Sequence, residues 1–329
     1  MKKTILPAII GLLLFGSCKK NNVTPPEPIT ANVFIAGSRS DGNKTAAVYW
    51  KNGERVELPS NATYQAGYGI AVSGNDVYVT GAYSGGGLFS GTDAVYWKNS
   101  EPMFLSTGGS YIQASDIVIS GDDVYILMSG LFTAGYWKNG VTEDLAKNDS
   151  LNLNSASGLC VSGTDVYVSG YEVSGNLQNA KYWKNGQPVI ISDQVHNFTT
   201  SGITVSGGDV YVSGGGYSTH LYAAYWKNNS TVFLGDTAVE SGANSIAVSG
   251  SDVYVVGYQK TSSGYDAVLW KNGSSVDLGR DGNAYGITIS GTDVYVVGSL
   301  AQKAVYWKNG QVHYLDGGTE AWALFVKPL

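Results

Sequence analysis

Apolar and polar positions alternate along most of the chain in one recurring unit. Its first part reads Ile-x-Val-Ser-Gly-x-Asp-Val-Tyr-Val-x-Gly and begins, with small variations, at Ile70, Ile117, Leu159, Ile203, Ile246 and Ile287. The apolar residues fall at every second position and are mostly β-branched or aromatic, the pattern of half-buried strands. Ser-Gly-x-Asp between two such runs predicts a tight hairpin, because Gly tolerates a positive φ and Asp can bond its own backbone. The second part ends in Tyr-Trp-Lys-Asn or a near variant, with the Trp at Trp50, Trp97, Trp137, Trp183, Trp226, Trp270 and Trp307, 37 to 47 residues apart. Asn-Gly commonly follows as another hairpin signal, and then a short run such as Val276-Asp277-Leu278.

Each unit therefore predicts four short antiparallel strands at a period of about 40–45 residues, which is the period of propeller blades. A solenoid of the same units would need capping ends, and none are visible. The two ends of the repeat array complete each other. Asn32-Val33-Phe34-Ile35-Ala36-Gly37 matches the second strand of a unit, and Ala321-Trp322-Ala323-Leu324-Phe325-Val326 matches a first strand. Six whole units and one split unit predict an all-β, seven-bladed β-propeller of four-stranded antiparallel blades. Its ring is expected to close by pairing of the C-terminal strand with the N-terminal blade, which removes two sheet edges.

Ala267-Val268-Leu269-Trp270-Lys271-Asn272-Gly273, followed by Val276-Asp277-Leu278-Gly279 and Tyr285-Gly286-Ile287, resembles the HAF-type extracellular repeats of bacteria. The resemblance covers nearly the whole chain after its N-terminal segment. It implies an exported repeat protein and brings no catalytic residues with it. The Gly-His signature of WD40 blades is absent.

The N-terminus fits export. Lys2 and Lys3 precede an apolar stretch from Ile5 to Phe15, too short to span a bilayer as a helix. Phe15-Gly16-Ser17-Cys18 then resembles the lipobox of bacterial lipoproteins, which implies acylation of Cys18. The expected organisation is a lipoprotein signal peptide at 1–17, a lipid-anchored tether at 18–30 containing Pro25, Pro26 and Pro28, and the propeller at 31–329. The expected location is the outer membrane, held by the lipid, with the periplasmic and surface-facing sides both open. Cys160 is the one other cysteine, so no disulfide framework is possible, and its apolar strand context reads as a buried thiol.

The formal net charge of −6 becomes more negative once Lys2 and Lys3 are removed, and no basic run occurs. Nucleic acid is therefore not expected as a partner. The expected partners are the membrane, through the anchor, and a glycan or envelope protein, with the chain a monomer. Residues repeated in every unit are explained by the unit itself: the Trp residues as packing between blades, and the Asp opening each second strand as the cross-strand partner of the Lys closing each third. Information about a ligand should lie in the variable connections at the opposite end of the blades. That face offers Tyr64, Tyr68, Tyr83, Tyr111, Phe132, Tyr171, Phe198, Tyr217, Tyr222, Tyr258, Tyr265, Tyr285 and Trp322 among Asn, Ser, Thr and Gly. Tyr and Trp beside polar groups suit a sugar or a protein surface, although such rings also fill channels and gaps between loops.

No nucleophile elbow, Walker loop or His-Glu-x-x-His occurs, and no cofactor is implied. His196 and His220 fall on the variable face with Asp193 near in sequence, but a metal site needs more ligands. Asp41-Gly42-Asn43 and Asp281-Gly282-Asn283 read as turns rather than calcium loops. Carboxylates of the variable face, Asp149, Glu172, Asp193, Asp236, Glu240, Asp281 and Glu320, could in principle supply a catalytic pair. Two functions follow: a non-catalytic envelope lipoprotein that binds or scaffolds through its variable face, or a carbohydrate-active hydrolase or lyase with acids near a central channel.

Overall fold

The structure is a computed structural model that describes residues 31–59, 62–85, 91–106, 112–130, 133–145, 153–193 and 195–329. The lipobox with Cys18, and also Tyr111, Phe132 and Asp149, lie outside the described residues. Every regular element among the described residues is a β-strand. Antiparallel four-stranded units recur, each running inner, second, third and outer strand in chain order, and they are arranged as propeller blades.

The alternating pattern explains the packing. In the second strands, Val79, Ile126, Val168, Val212, Val255 and Val296 are buried to within 2% exposure, as are Trp50, Trp97, Trp183, Trp226, Trp270 and Trp307 in the third strands. Each such Trp fills the space between its own sheet and a neighbouring one. Trp307, for example, packs with Tyr254, Ala267 and Leu278 of the preceding unit. Trp137 is the exception and is only half-buried.

Two turns define each unit. Between inner and second strands, Gly takes a positive φ at the first turn position, +57° at Gly74 and +61° at Gly121, which a side-chain-bearing residue adopts only with strain. Between third and outer strands it is Asn that takes the left-handed conformation, with φ between 45° and 53° at Asn52, Asn99, Asn139, Asn185, Asn228, Asn272 and Asn309. Each of these Asn residues also closes a polar clamp. Asn99 Oδ1 accepts the Val77 amide at 2.9 Å, and its Nδ2 donates to Asp76 Oδ1 at 2.8 Å. Asp76 Oδ2 then pairs with Lys98 at 2.9 Å. The same Lys–Asp pair forms at Lys138–Asp123, Lys184–Asp165, Lys227–Asp209, Lys271–Asp252 and Lys308–Asp293. In the unit that starts the array, Asn32 replaces the Asp and takes the Asn52 amide at 2.8 Å.

The sheet count differs from the sequence expectation. Five sheets are separate and four-stranded, and one has eight strands. The eight-stranded sheet contains the first and last strands of the array. Glu320–Pro328 pairs antiparallel with Ala31–Ser40, from Ala31 opposite Pro328 to Ser38 opposite Glu320. Its two halves are joined at one parallel bridge, Thr45 to Tyr64, supported by the Thr45 amide bonding to the Thr63 carbonyl at 3.3 Å.

Candidate functional site: a central cavity lined by seven bulges

Every inner strand carries one β-bulge, a residue skipped in the register with its second strand. The skipped residues are Tyr68, Ser115, Ser157, Ser201, Asn244, Tyr285 and Trp322. A bulge re-aims one side chain out of the pleat. Here all seven line one central cavity of about 630 Å³. Six of the seven second strands make room for the kink with glycine, Met128 standing at this position in the other: a Cβ on Gly81 would stand 1.9 Å from the Ala66 carbonyl oxygen, and one on Gly257 1.8 Å from that of Gly242. The Gly ending each Val-x-Gly motif is therefore the sequence trace of the bulge.

The lining is two-sided. On one side, three consecutive inner strands contribute rings. Tyr285 and Trp322 lie with centroids 4.3 Å apart and 32° between planes, and Trp322 meets Tyr68 edge-on at 5.8 Å. Tyr64, 37% exposed, shares a hydroxyl hydrogen bond of 2.8 Å with Tyr68. Burial pushes the Tyr68 and Tyr285 phenols above their ordinary range, so both stay protonated. On the other side the bulges are small and polar, and they tie neighbouring inner strands together. Ser157 bonds Thr200 at 2.7 Å, Ser201 donates to the Ala243 carbonyl, and Asn244 donates to Asn283 at 2.7 Å and to the Ala284 carbonyl at 2.9 Å.

Among the described residues, one charged side chain lines this space. Asp116 follows the Ser115 bulge, and sequence reading passed over it because it lies inside a strand rather than in a loop. The signal was present: the residue before the repeat's Ile or Leu is Gly69, Gly158, Gly202 and Gly286 in other units but Asp116 here. Its Oδ1 accepts the Ile117 amide at 2.8 Å, and its Oδ2 accepts the Leu159 amide of the next inner strand at 3.1 Å. Asp116 is recessed yet keeps accessible surface in the cavity. Desolvation outweighs both backbone bonds and pushes its carboxyl up to about 6.

Of the aromatic residues expected on the variable face, Tyr64, Tyr68, Tyr285 and Trp322 come together at the cavity. Others go elsewhere. Phe198 is 4% exposed and packs edge-on against Trp226, so it fills the core and offers no surface. Tyr222 lies against Phe198 and Phe233, and Tyr83 against Phe104. Tyr171 is half-buried within its second strand. Tyr258 meets Tyr265 edge-on at 5.4 Å, and Tyr265 donates to Glu240 at 2.7 Å. Tyr217 is 52% exposed and stands apart from the cavity lining.

Of the polar candidates, Asp281 and Glu320 line a separate pocket of about 490 Å³ with Tyr265 and Asn283, where burial pushes the Glu320 carboxyl above its ordinary range, and others are dispersed. Glu172 is paired with Lys181 at 2.7 Å, Glu240 with Lys260 at 2.9 Å, and Asp193 with His196 at 2.7 Å. His220 Nε2 lies 3.0 Å from the Thr237 carbonyl. Asp41 takes the amides of Asn43 and Lys44, a turn-closing arrangement. Among the described residues, no group of three or more His, Cys, Asp or Glu is placed to hold a metal ion. Burial pushes the Cys160 thiol up to about 11, the state of an unreactive cysteine.

No family model matches the sequence, and no curated protein matches it. Among solved structures, a Mycobacterium tuberculosis puromycin-hydrolyzing peptidase matches with a TM-score of 0.53 at 11% identity, over 85% of this chain and 53% of that one. Hydrazine synthase of Kuenenia stuttgartiensis matches with a TM-score of 0.47 at 8% identity, over 92% of this chain and 47% of that one. The chain thus spans about half the length of each. At 11% identity the first likeness speaks to fold alone, and it agrees with the propeller arrangement of the four-stranded units.

Proposed function

We propose that this chain is a non-catalytic binding module of the cell envelope that takes a sugar residue of a glycan in its central cavity. The proposal includes a seven-bladed, closed ring. The eight-stranded sheet counts as two blades sharing one bridge, and the pairing of Glu320–Pro328 with Ala31–Ser40 is the closure. It also includes export and anchoring through an acylated Cys18 in the outer membrane, carried by the lipobox resemblance, and an extracytoplasmic repeat character carried by the HAF-type resemblance.

The observation that carries the binding reading is the two-sided lining. Aromatic faces opposite hydroxyl and amide groups suit a molecule with an apolar face and a polar rim, and the cavity volume lies within the range of small-ligand sites. The alternative, a hydrolase or lyase, requires two facing acids. Among the described residues the central cavity is lined by one carboxylate, Asp116, which favours binding over hydrolysis there, while Asp281 and Glu320 line a separate pocket.

A glycan-array screen of the purified chain, followed by fluorescence titration of hits, tests this reading. Saturable binding that is lost in Trp322→Ala and Tyr285→Ala supports it. Absence of binding to every glycan overturns it and returns weight to a protein partner. Anchoring is tested separately: Cys18→Ser should release the chain from the membrane fraction, and retention there would overturn the lipid anchor.

A further inference from the structure

We propose that Asp116 is the receptor for a positively charged amine, so that the cavity selects amine-bearing ligands, amino sugars above all, over neutral ones. This inference rests on the sugar-binding reading and specifies its ligand class.

The argument is positional. The residue after each bulge forms a row around the inner strands, and apart from Asp116 that row is Gly69, Gly158, Gly202, Ser245, Gly286 and Ala323. Close approach explains the small residues. A Cβ on Gly158 would meet Gly202 Cα at 2.9 Å, and one on Gly286 would meet the Trp322 carbonyl at 2.8 Å. Asp116 is thus one carboxylate in a row otherwise almost without side chains. It borders the aromatic cavity and also a second one of about 390 Å³, lined by Ile70, Ile117, Leu324 and Phe325. Asp116, Ala323 and Leu324 line both, which puts the carboxylate where the two spaces meet.

The carboxylate is held but not neutralised. Two backbone amides orient it across the junction of two inner strands, each using one lone pair of one oxygen. Among the described residues, no Lys, Arg or His lines the cavity. A desolvated carboxylate without a cation is costly, and an ammonium supplied by a ligand offsets that cost through a charge-assisted hydrogen bond. The rings of Tyr68, Tyr285 and Trp322 on the same lining add a surface to which a cation-bearing ring is drawn. A purely structural role is the competing account, but a structural link between inner strands is served elsewhere by neutral groups, as by Ser157 and Asn244 at their bulges.

The test measures affinities of the purified full chain at pH 7.5 for four probes: glucosamine, glucose, N-acetylglucosamine and cyclohexylamine. Asp116→Ser and Asp116→Asn are measured beside it, with circular dichroism and melting as folding controls. The expected result is glucosamine bound about tenfold or more tighter than glucose or N-acetylglucosamine, with the preference abolished in both variants while glucose binding persists. Equal affinity for all three sugars would overturn the inference and leave the sugar reading standing. Asp116-dependent binding of cyclohexylamine without any sugar binding would sustain the amine site and overturn the sugar reading. If no probe binds, both fall.

Discussion

The side-chain amide of Asn272 donates to Asp252 Oδ1 at 2.9 Å, while Asn272 Oδ1 accepts the Val253 amide at the same distance. Lys271, one residue earlier, pairs with the other oxygen of Asp252 at 2.8 Å and lies over the Tyr254 ring. Three residue types of the repeat, the adjacent Lys271 and Asn272 and the facing Asp252, thus lock two strands at one turn. The sequence pattern alone suggested the Lys–Asp pair; the Asn contribution came from its left-handed φ of 50°, which aims the side chain back at the neighbouring strand.

Asn272→Ala should therefore lose both the clamp and a conformation that non-glycine residues resist, at a cost of about 2–3 kcal/mol. Asn272→Gly should cost about 1–2 kcal/mol less than the Ala variant, because glycine keeps the turn. Urea denaturation of the two variants measures the difference, and equal losses would show that conformation contributes nothing there.

The acid limb of stability should reflect the same clamps. Hydrogen bonds from Lys and Asn hold the clamp Asp carboxyls below the ordinary value: the Lys bond leads at Asp123, Asp165, Asp209 and Asp252, and the Asn bond at Asp76 and Asp293. Groups whose folded pKa is depressed stabilise the fold above their unfolded pKa, and that contribution is lost as pH falls through the folded value. A melting series from pH 6 downward should show a decline beginning near pH 4 and continuing below it. A flat profile across pH 4 to 2 would contradict this.

Asp116 behaves oppositely. Its carboxyl is pushed up to about 6, so between the unfolded value near 4 and pH 6 the folded chain binds the extra proton. The resulting stability is present below pH 4 and is lost as pH rises through 6. About two units correspond to about 3 kcal/mol. The stability difference between Asp116→Ser and the parent should therefore shift in favour of the variant by about 2–3 kcal/mol between pH 4 and pH 8. Urea midpoints at the two pH values measure it.

Trp226 is fully buried with Phe198 edge-on to it, while Trp137 is half-buried. Trp226→Ala should cost about 3–5 kcal/mol, and Trp137→Ala less, because its site is already open to solvent. Comparable losses at both positions would mean that burial does not decide the energetics of the repeated Trp.

Removal of the chain after Gly318 deletes the strand Glu320–Pro328 and with it Trp322. It exposes the edge of Ala31–Ser40 and opens the aromatic side of the cavity. The truncated chain should aggregate or melt well below the full one, since an unpaired long strand is a template for association. Melting and light scattering check this.

Local information was enough for much of the fold. Alternating β-branched residues, Ser-Gly-x-Asp and Asn-Gly turns, and the complementary fragments at Asn32 and Trp322 are all readable within a dozen residues. They predicted four-stranded units and the pairing of the two ends. What reading in one dimension could not supply is the register. A bulge is a difference in count between two strands, so Ser115, Ser157 and Asn244 looked like ordinary positions in alternating runs until their partners were known. Phe198 looked available in a connection but is drawn under Trp226, because a large ring near a gap between sheets gains more by burial than by exposure.

By itself, then, the sequence determined the strands, their turns and the repeating unit, since those depend on side-chain alternation and backbone φ, which neighbours along the chain control. The tertiary structure decided the site. Only the packing of the inner strands around one space turns seven skipped residues toward a common cavity and sets Tyr285 against Trp322. It also leaves Asp116 as the carboxylate among glycines that close approach keeps small. Those relations are distances between residues far apart in sequence, and no local pattern encodes a distance across the axis.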